Sequence, residues 1–479
     1  GQDGTAFRPA GLLEDMTQLF PHMAVSGGVL ANDVAPLSPA MALDALPHHL
    51  RQAVDTDTPL PEQWANVLRW LYFDPEWHSR CQAVLDALNR HGTAIFLSRD
   101  HTRRLFTQDK VSISRLEGFA QCPYRHFVNY GLKPVIRREY EFDPADVGDF
   151  YHAAMEGYAA LALKEPDFPD LPDEKIHALM DTVLLPLTTA WADGPLNETP
   201  SLRLQGEKYR RTVHRAAWMF THHAQHSRFR TVGEEVVFGE EDGLPPVVLT
   251  LHDGRKIALR GKIDRIDRWE GDEGVYLLVS DYKSSHRDID PTRLWYGLQL
   301  QLLLYLQAAC EGLDGNPAGA FYFTLKDPMV DTADVKEAAE KAIAKKLHLK
   351  GIVLADVDVV EALDSEPGYS FTKIFNADCS VASSSDGYTP EEMAALLAHA
   401  KKMAAELADR IRSGEITPSP AVISDWNACQ WCDCAGVCKL DTSIPGHEKR
   451  ELPPLSKQEL LTRMANDTDA PGNEEDTSP

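Results

Sequence analysis

Helical periodicity and strict alternation divide the chain into a helical preface and an α/β body. Across residues 1–108 apolar positions recur at helical spacing, most clearly in ANVLRWLYFDPEWHSRCQAVLDALNRH. Helical patterning returns near 148–163 and again in a longer region reaching about 228, and then gives way to strands. EEVVFGE, near 234–240, is the first strand. KIALRGKIDRIDRW alternates with a period of two, which puts Ile257, Leu259, Gly261 and Ile263 on one face and Arg260, Lys262 and Asp264 on the other. GVYLLVSDYKSS is a third strand ending in polar residues, WYGLQLQLLLYLQAAC a strongly apolar helix, and AGAFYFTL a fourth strand. This order predicts an α/β core with a mixed sheet flanked by helices.

Local signals refine the boundaries. KVSISRLEGFAQCPYRHFVNYGL opens a new unit, with Ser112 or Ser114 as a helix cap and Glu117 in capping-box position after Ser114. Cys122-Pro123 ends that helix or opens the next turn. Residues 335–364 read as a helix and loop excursion from the core, SVASSSDG as a flexible loop, and PEEMAALLAHAKKMAAELADRIRSGEI as a long helix. The acidic, Pro/Gly/Ser-rich end, MANDTDAPGNEEDTSP, reads as disordered. The expected division is therefore a helical segment over 1–108, an α/β domain over 109–455, and a largely disordered tail over 456–479.

Composition narrows the class. In 479 residues, a 43% hydrophobic and 25% charged content is that of a soluble globular protein with a sizeable core. No apolar stretch reaches membrane-spanning length and no secretory signal is read. Gly1 in place of Met suggests a piece of a longer polypeptide. Eight cysteines without such a signal suggest a reducing cytoplasm and metal ligation. The net charge of −25 argues against a protein that coats nucleic acid non-specifically. Two stretches depart from it. Residues 203–230 carry Glu207 as their sole acid, and residues 103–138 only Asp109 and Glu117. Either is a solvated helix face or one wall of a nucleic-acid channel. No G-x4-G-K-[ST] loop is present, so ATP binding of that kind is not expected.

Two constellations carry chemistry. Asp264 lies on the polar face of its strand, and Asp281 on the next. Asp281 and Lys283 are two apart and so point to the same side, while Tyr282 points away. Paired carboxylates on adjacent strands can chelate a divalent cation, and the Tyr282 carbonyl can add a hard oxygen ligand. Lys283 then serves as general base or as electrostatic stabiliser in phosphodiester hydrolysis. An isolated D-x-K is usually a surface ion pair, and the neighbouring features raise it above that. Gln301 and Tyr305, four apart, share a helix face, and His152 in GDFYHAAME is a third candidate ligand. The second constellation is Cys122 near the start of the domain and Cys429, Cys432 and Cys438 in NACQWCDCAGVC near its end. This set can hold an iron–sulfur cluster that ties the ends together. Zinc sites more often gather two local pairs, which favours the cluster.

SISRLEGFAQCPYRHFVNYGL, GDFYHAAME, GEEVVFG, GKIDRID, VSDYKSS, YGLQLQLLLYL, PAGAFYFTLKDP, KKLHLKGIVLADVDVVEALD and ACQWCDCAGVC, taken in order, resemble the PD-(D/E)xK nuclease superfamily in its RecB-like, iron–sulfur branch. The closest likeness, over roughly 109–455, is to the AddB family of helicase–nuclease subunits. The resemblance implies a restriction-endonuclease-like core, a [4Fe–4S] cluster on Cys122, Cys429, Cys432 and Cys438, and a Mg²⁺ site of His152, Asp264 and Asp281. It makes Lys283 catalytic, matches Gln301 and Tyr305 to the following motif, and makes 1–108 the tail of a helicase-like region. It implies an AddA-like partner that supplies unwinding, and action on the 5′-ended strand in double-strand break repair by recombination. Cys434 departs from the pattern, standing where the family usually has an aromatic residue. From the basic stretch, Arg210, Arg211 and Arg215 are expected to contact phosphates of single-stranded DNA. The competing readings are a nuclease-like scaffold that binds without cutting, and a stand-alone nuclease.

Overall fold

The computed structural model describes residues 15–16, 18–22, 38–88, 94–106, 109–135, 143–189, 191, 194–328, 342–343, 345–371, 373–378, 380–382, 385–444 and 446–468. Residues 1–91 and 92–479 form two compact units. In the first, α1 (Pro39–Asp55), α2 (Glu62–Phe73) and α3 (His78–Leu88) each turn an apolar stripe inward. Leu46, Trp64, Leu71 and Cys81 are buried where the stripes meet.

The second unit begins before the boundary expected at 108. The Leu97 amide donates to Gly414 and Phe106 is buried in the main core, so 94–106 belong with the α/β domain. Its centre is an eight-stranded mixed sheet, built on β1 (Lys110–Ser112), β2 (Arg230–Phe238), β3 (Val248–Thr250), β4 (Lys256–Gly271), β5 (Gly274–Lys283), β6 (Asn316–Thr324), β7 (Lys350–Leu354) and β8 (Gly387–Tyr388). The order is β1-β4-β5-β6-β7-β8, with β2 and β3 also pairing with β4. β4 is antiparallel to β5, and β5 is parallel to β6, so Lys283 lies opposite Thr324 and both strands end at one edge.

Helices cover both faces. α4 (Ile113–Gln121), α5 (Pro144–Ala162), α6 (Asp173–Thr189) and α7 (Pro200–Gln225) precede β2. α5 starts at Asp143, whose carboxylate takes the Ala145 and Asp146 amides while Asp146 caps back. α8 (Pro291–Trp295) is short, and α9 (Gln301–Leu313) packs on β5 and β6 with α11 (Pro390–Arg412) beyond it. Covered on several sides, α9 is apolar nearly all round. The expected helix over 295–310 is thus broken, because Gly297 takes a left-handed φ of 73° between α8 and α9.

Three further expectations change. Residues 350–354, read as part of an excursion, are β7, antiparallel to β6 and inside the sheet, and α10 (Val357–Leu363) follows. Residues 335–341 lie outside the described residues. SVASSSDG is not a free loop where described: Lys457 donates to the Ser385 and Gly387 carbonyls, and Gly387 is in β8. The tail read as disordered from 456 contains α12 (Lys457–Thr468), which buries Leu460 and Met464 in the main core. Residues 469–479 lie outside the described residues. A small sheet of β9 (Ala421–Ile423), β10 (Trp426–Asn427) and β11 (Arg450–Glu451) flanks the cysteine-rich loop.

Candidate active site

Strand register assembles the acidic residues. In the β2–β4 ladder Glu234 faces Arg265 and Val236 faces Ile263, which leaves Glu235 opposite Asp264. In the β4–β5 ladder Arg265 faces Ser280, so the same register sets Asp264 opposite Asp281. Three carboxylates therefore line up across three adjacent strands. Directly opposed like charges repel, and here they are also largely buried. Backbone pairing stops at Arg265 and Ser280, and the Tyr282 amide donates instead to Asp264 Oδ2 at 2.6 Å.

α5 delivers His152 to this row. Its Nδ1 lies 3.2 Å from Glu235 Oε1 and 3.5 Å from Asp264 Oδ1. His152, Glu235 and Asp264 each bring one donor atom within 4.8 Å of the others, the spacing of a metal pocket. Lys262 pairs with Glu235 from the rim. Asp281, the next acid in the row, stands outside that three-residue cluster. Lys283 pairs with its Oδ2, and Gln301 Nε2 donates to its Oδ1 at 2.9 Å. Gln301 also donates to the Tyr305 hydroxyl at 3.1 Å, so the four-residue spacing brings both beside Asp281.

The electrostatics follow from burial and crowding. Burial, then the charge of Asp281, raises the Asp264 carboxyl to about 7. Burial raises Asp281 too, against the opposing pull of Lys283. Burial alone would push the His152 imidazole down, but its bond to Glu235 and the charge of Asp264 hold it above its ordinary value. Buried, crowded carboxylates, with hard oxygen donors and an imidazole, fit a divalent cation that would relieve the repulsion.

Two acids were not legible as part of this site. Glu235 has a left-handed φ of 53°, a conformation costing roughly 1–2 kcal/mol in an L-residue. In sequence it is one of two glutamates in an ordinary strand. Glu117 does not cap its own helix as expected. Its Oε1 accepts the Leu300 and Gln301 amides at 2.7 and 2.9 Å, fixing the N-terminus of α9 and with it the Gln301 side chain. Burial raises its carboxyl to about 7 against those two bonds. The other carboxylate of IDRID is structural. Asp267 holds the buried Arg265 through both oxygens at 2.8 and 2.9 Å, and that guanidinium lies 4.4 Å from the Phe220 ring of α7.

Tyr282 points away as expected, its ring buried 5.5 Å from Phe323 and its hydroxyl toward Glu234. Arg211 and Arg215 on α7 both reach Asp327 at 3.7 Å, on the segment leaving β6. Arg210 borders a separate cavity of about 250 Å³ with Trp191 and Glu207. The described residues of the 103–138 stretch form another of about 250 Å³, where Arg104, Lys110, Arg115 and Lys133 meet Arg260.

Cys122, Cys429, Cys432 and Cys438 converge on one cavity of about 590 Å³, which Cys434 also lines. All five thiols are free. Burial, then the charges of Cys122 and Cys432, raises the Cys429 thiol. Cys434 is buried, 3.9 Å from Asn129 Oδ1, and burial with its neighbour Cys432 raises it to about 11. Protein contacts join the same two ends of the domain. Arg450 donates to Ser419 O at 2.9 Å and to the carbonyls of Ala120 and Gln121, just before Cys122.

A mixed sheet that aligns carboxylates beside a lysine at a shared strand edge is the core of a nuclease fold, and comparison agrees. The family model for the PD-(D/E)XK nuclease superfamily matches residues 110–439, and the chain belongs to that superfamily. The model for the ATP-dependent helicase/deoxyribonuclease AddB fifth domain matches residues 37–87. The ATP-dependent helicase/deoxyribonuclease B-subunit of Alkaliphilus metalliredigens is 30% identical over 485 residues, covering 98% of this chain and 42% of that protein. That of Alkaliphilus oremlandii is 29% identical over 485 residues, with the same coverages. That of Acetivibrio thermocellus is 30% identical over 489 residues, covering 97% and 42%. The chain thus spans about two-fifths of the length of the curated relatives it matches. Among the described residues, no helix is long and apolar enough to cross a membrane.

Proposed function

We propose that the chain is the nuclease-bearing part of an AddB-like subunit, a Mg²⁺-dependent exonuclease for the 5′-ended single strand produced by an AddA-like helicase partner. The process served is double-strand break repair by recombination. The observation that carries this reading is the carboxylate row with Lys283 and Gln301 at its end, because a scaffold has no use for buried like charges. His152, Glu235, Asp264 and Asp281, with the Tyr282 carbonyl, would hold Mg²⁺. When bound, the ion supplies charge neutralisation for the phosphate and a more acidic water. Lys283 stands where it can receive a proton or stabilise the phosphate, Gln301 fixes the Asp281 carboxylate, and Tyr305 steadies Gln301.

Thermal melting tests the metal site by its pH dependence. An acid whose folded pKa exceeds its unfolded value takes up protons on folding, so its contribution to stability falls as pH rises from the unfolded pKa to the folded one. With Asp264 and Glu117 both raised to about 7, the metal-free chain should lose stability between roughly pH 4 and pH 7. Mg²⁺ should then raise the melting temperature strongly at pH 8 and little at pH 5.5. Asp264→Asn should abolish the Mg²⁺ response and keep the Glu117 part of the slope. An equal Mg²⁺ shift at both pH values in that variant would move the metal elsewhere.

Arg210, Arg211 and Arg215 belong to the strand's path in this reading. Asp327, which pairs with two of them, leaves β6 at the edge where Lys283 ends β5. Replacing all three with Gln should weaken single-strand binding alike for all sequences. The log–log salt slope should drop by about 2, at roughly 0.7 per phosphate contact. An unchanged slope would remove all three from the strand's path and leave Arg211 and Arg215 as partners of Asp327 alone.

The four converging thiols are proposed to hold a [4Fe–4S] cluster, with Cys434 as a spare thiol against Asn129. The four thiols line one cavity, and one distant cysteine with a C-x2-C-x5-C group, in place of two local pairs, supports a cluster over zinc.

A further inference from the structure

A groove runs from Glu117, which holds the Gln301 amide, to the cysteine loop. Its volume is about 440 Å³, and its lining includes Glu117, Arg125, Arg287, Arg293, Trp426 and Trp431. Arg287 marks the active-site end. It lies four residues beyond Lys283, within roughly 14 Å of chain. Glu117, which lines the groove too, accepts the Gln301 amide, and Gln301 donates to Asp281. Arg125 marks the other end, since it lines the cysteine cavity as well. Arg293 lies 4.6 Å from the Trp426 ring. Trp431, between Cys429 and Cys432, is 86% exposed.

Among the described residues that line this groove, Glu117 is the one acid, and its carboxylate faces the α9 amides. In a chain of net charge −25, a groove with three arginines and an open indole is built against the overall trend. Arginines along a groove track phosphates, and an exposed aromatic face stacks any base, which together are the means of holding a single strand without reading its sequence. Arginine and tryptophan also anchor protein interfaces, so the test below separates the two occupants.

We propose that this groove is the path of the single strand beside the active site, and that Trp431 is the platform on which one of its bases stacks. This rests on the nuclease reading and adds to it a path, from beside the carboxylates past Arg287 to the cysteine loop. Trp431 is a binding residue here, and the indole side chain makes no contribution to the cluster itself.

The test is single-strand binding by the full chain in EDTA, using oligothymidylates that carry one 2-aminopurine at successive positions. The wild type should quench the fluorophore at one position. Trp431→Ala should abolish that quenching and weaken binding by about tenfold, Trp431→Phe should restore most of both, and visible absorbance and iron content should match the wild type in all three. If Trp431→Ala binds and quenches like the wild type, the platform is wrong and the nuclease reading stands. Intact DNA binding with lost copurification of an ATPase would overturn the proposal in favour of a protein interface. Absence of position-dependent quenching in the wild type also overturns it, whatever the variant does to the cluster. A wild type that binds no single strand at all would instead sink the function from which the inference starts.

Discussion

Asp281→Ala is expected to reduce cutting to background while single-strand binding persists or improves slightly. Asp281 is buried at the end of the carboxylate row, bonded to Lys283 and Gln301, and both lose their common partner when it is removed. The chemistry then lacks a ligand for the ion and an anchor for Lys283, whereas the phosphates meet one negative charge fewer. Lys283→Ala should be milder, a loss of about 10²–10⁴-fold, the usual range for a positioned proton-transfer group. Fold and melting temperature should survive in both variants. Rates of Mg²⁺-dependent cutting near the wild type in Asp281→Ala would remove the residue from the site.

Cys429→Ser is expected to bleach the protein, lower its melting temperature and abolish DNA binding together with cutting. A link from Cys122 to Cys429 closes about three hundred residues, and the entropy of such a closure is at most ~6 kcal/mol. The Arg450 contacts to Ser419, Ala120 and Gln121 hold the same ends without any cross-link, so the measured loss should fall below that ceiling. Cys434→Ser should keep colour and iron. Zinc in stoichiometric amount, or normal melting in Cys429→Ser, would show the cluster assignment to be wrong while leaving the carboxylate site untouched.

The parts legible in the sequence were those governed by local period. Alternation in KIALRGKIDRID placed Asp264 on the polar face, and D-x-K put Asp281 beside Lys283, as the ion pair between them shows. Four-residue spacing brought Gln301 to Tyr305. What escaped depends on register or on distant backbone. Glu235 joins the row because β2 pairs with β4 at one register and its backbone turns left-handed there. Glu117 stands in capping-box position after Ser114, yet its bonds go to amides more than 180 residues away. β7, Lys350–Leu354, has an apolar part too short for period to distinguish strand from helix. α12 was hidden by its acidic surroundings, although Ser456 and Glu459 form a capping pair, the Ser456 amide donating to Glu459 at 2.7 Å and the Glu459 amide to Ser456 Oγ at 3.3 Å.

The most direct measurement is the release of nucleotides from 5′-labelled single-stranded DNA by the wild-type chain, in Mg²⁺ and in EDTA, with Asp264→Asn alongside. Release that requires Mg²⁺ and disappears in Asp264→Asn is the predicted result. Tight DNA binding with no release in Mg²⁺, or release that continues in EDTA, would contradict it.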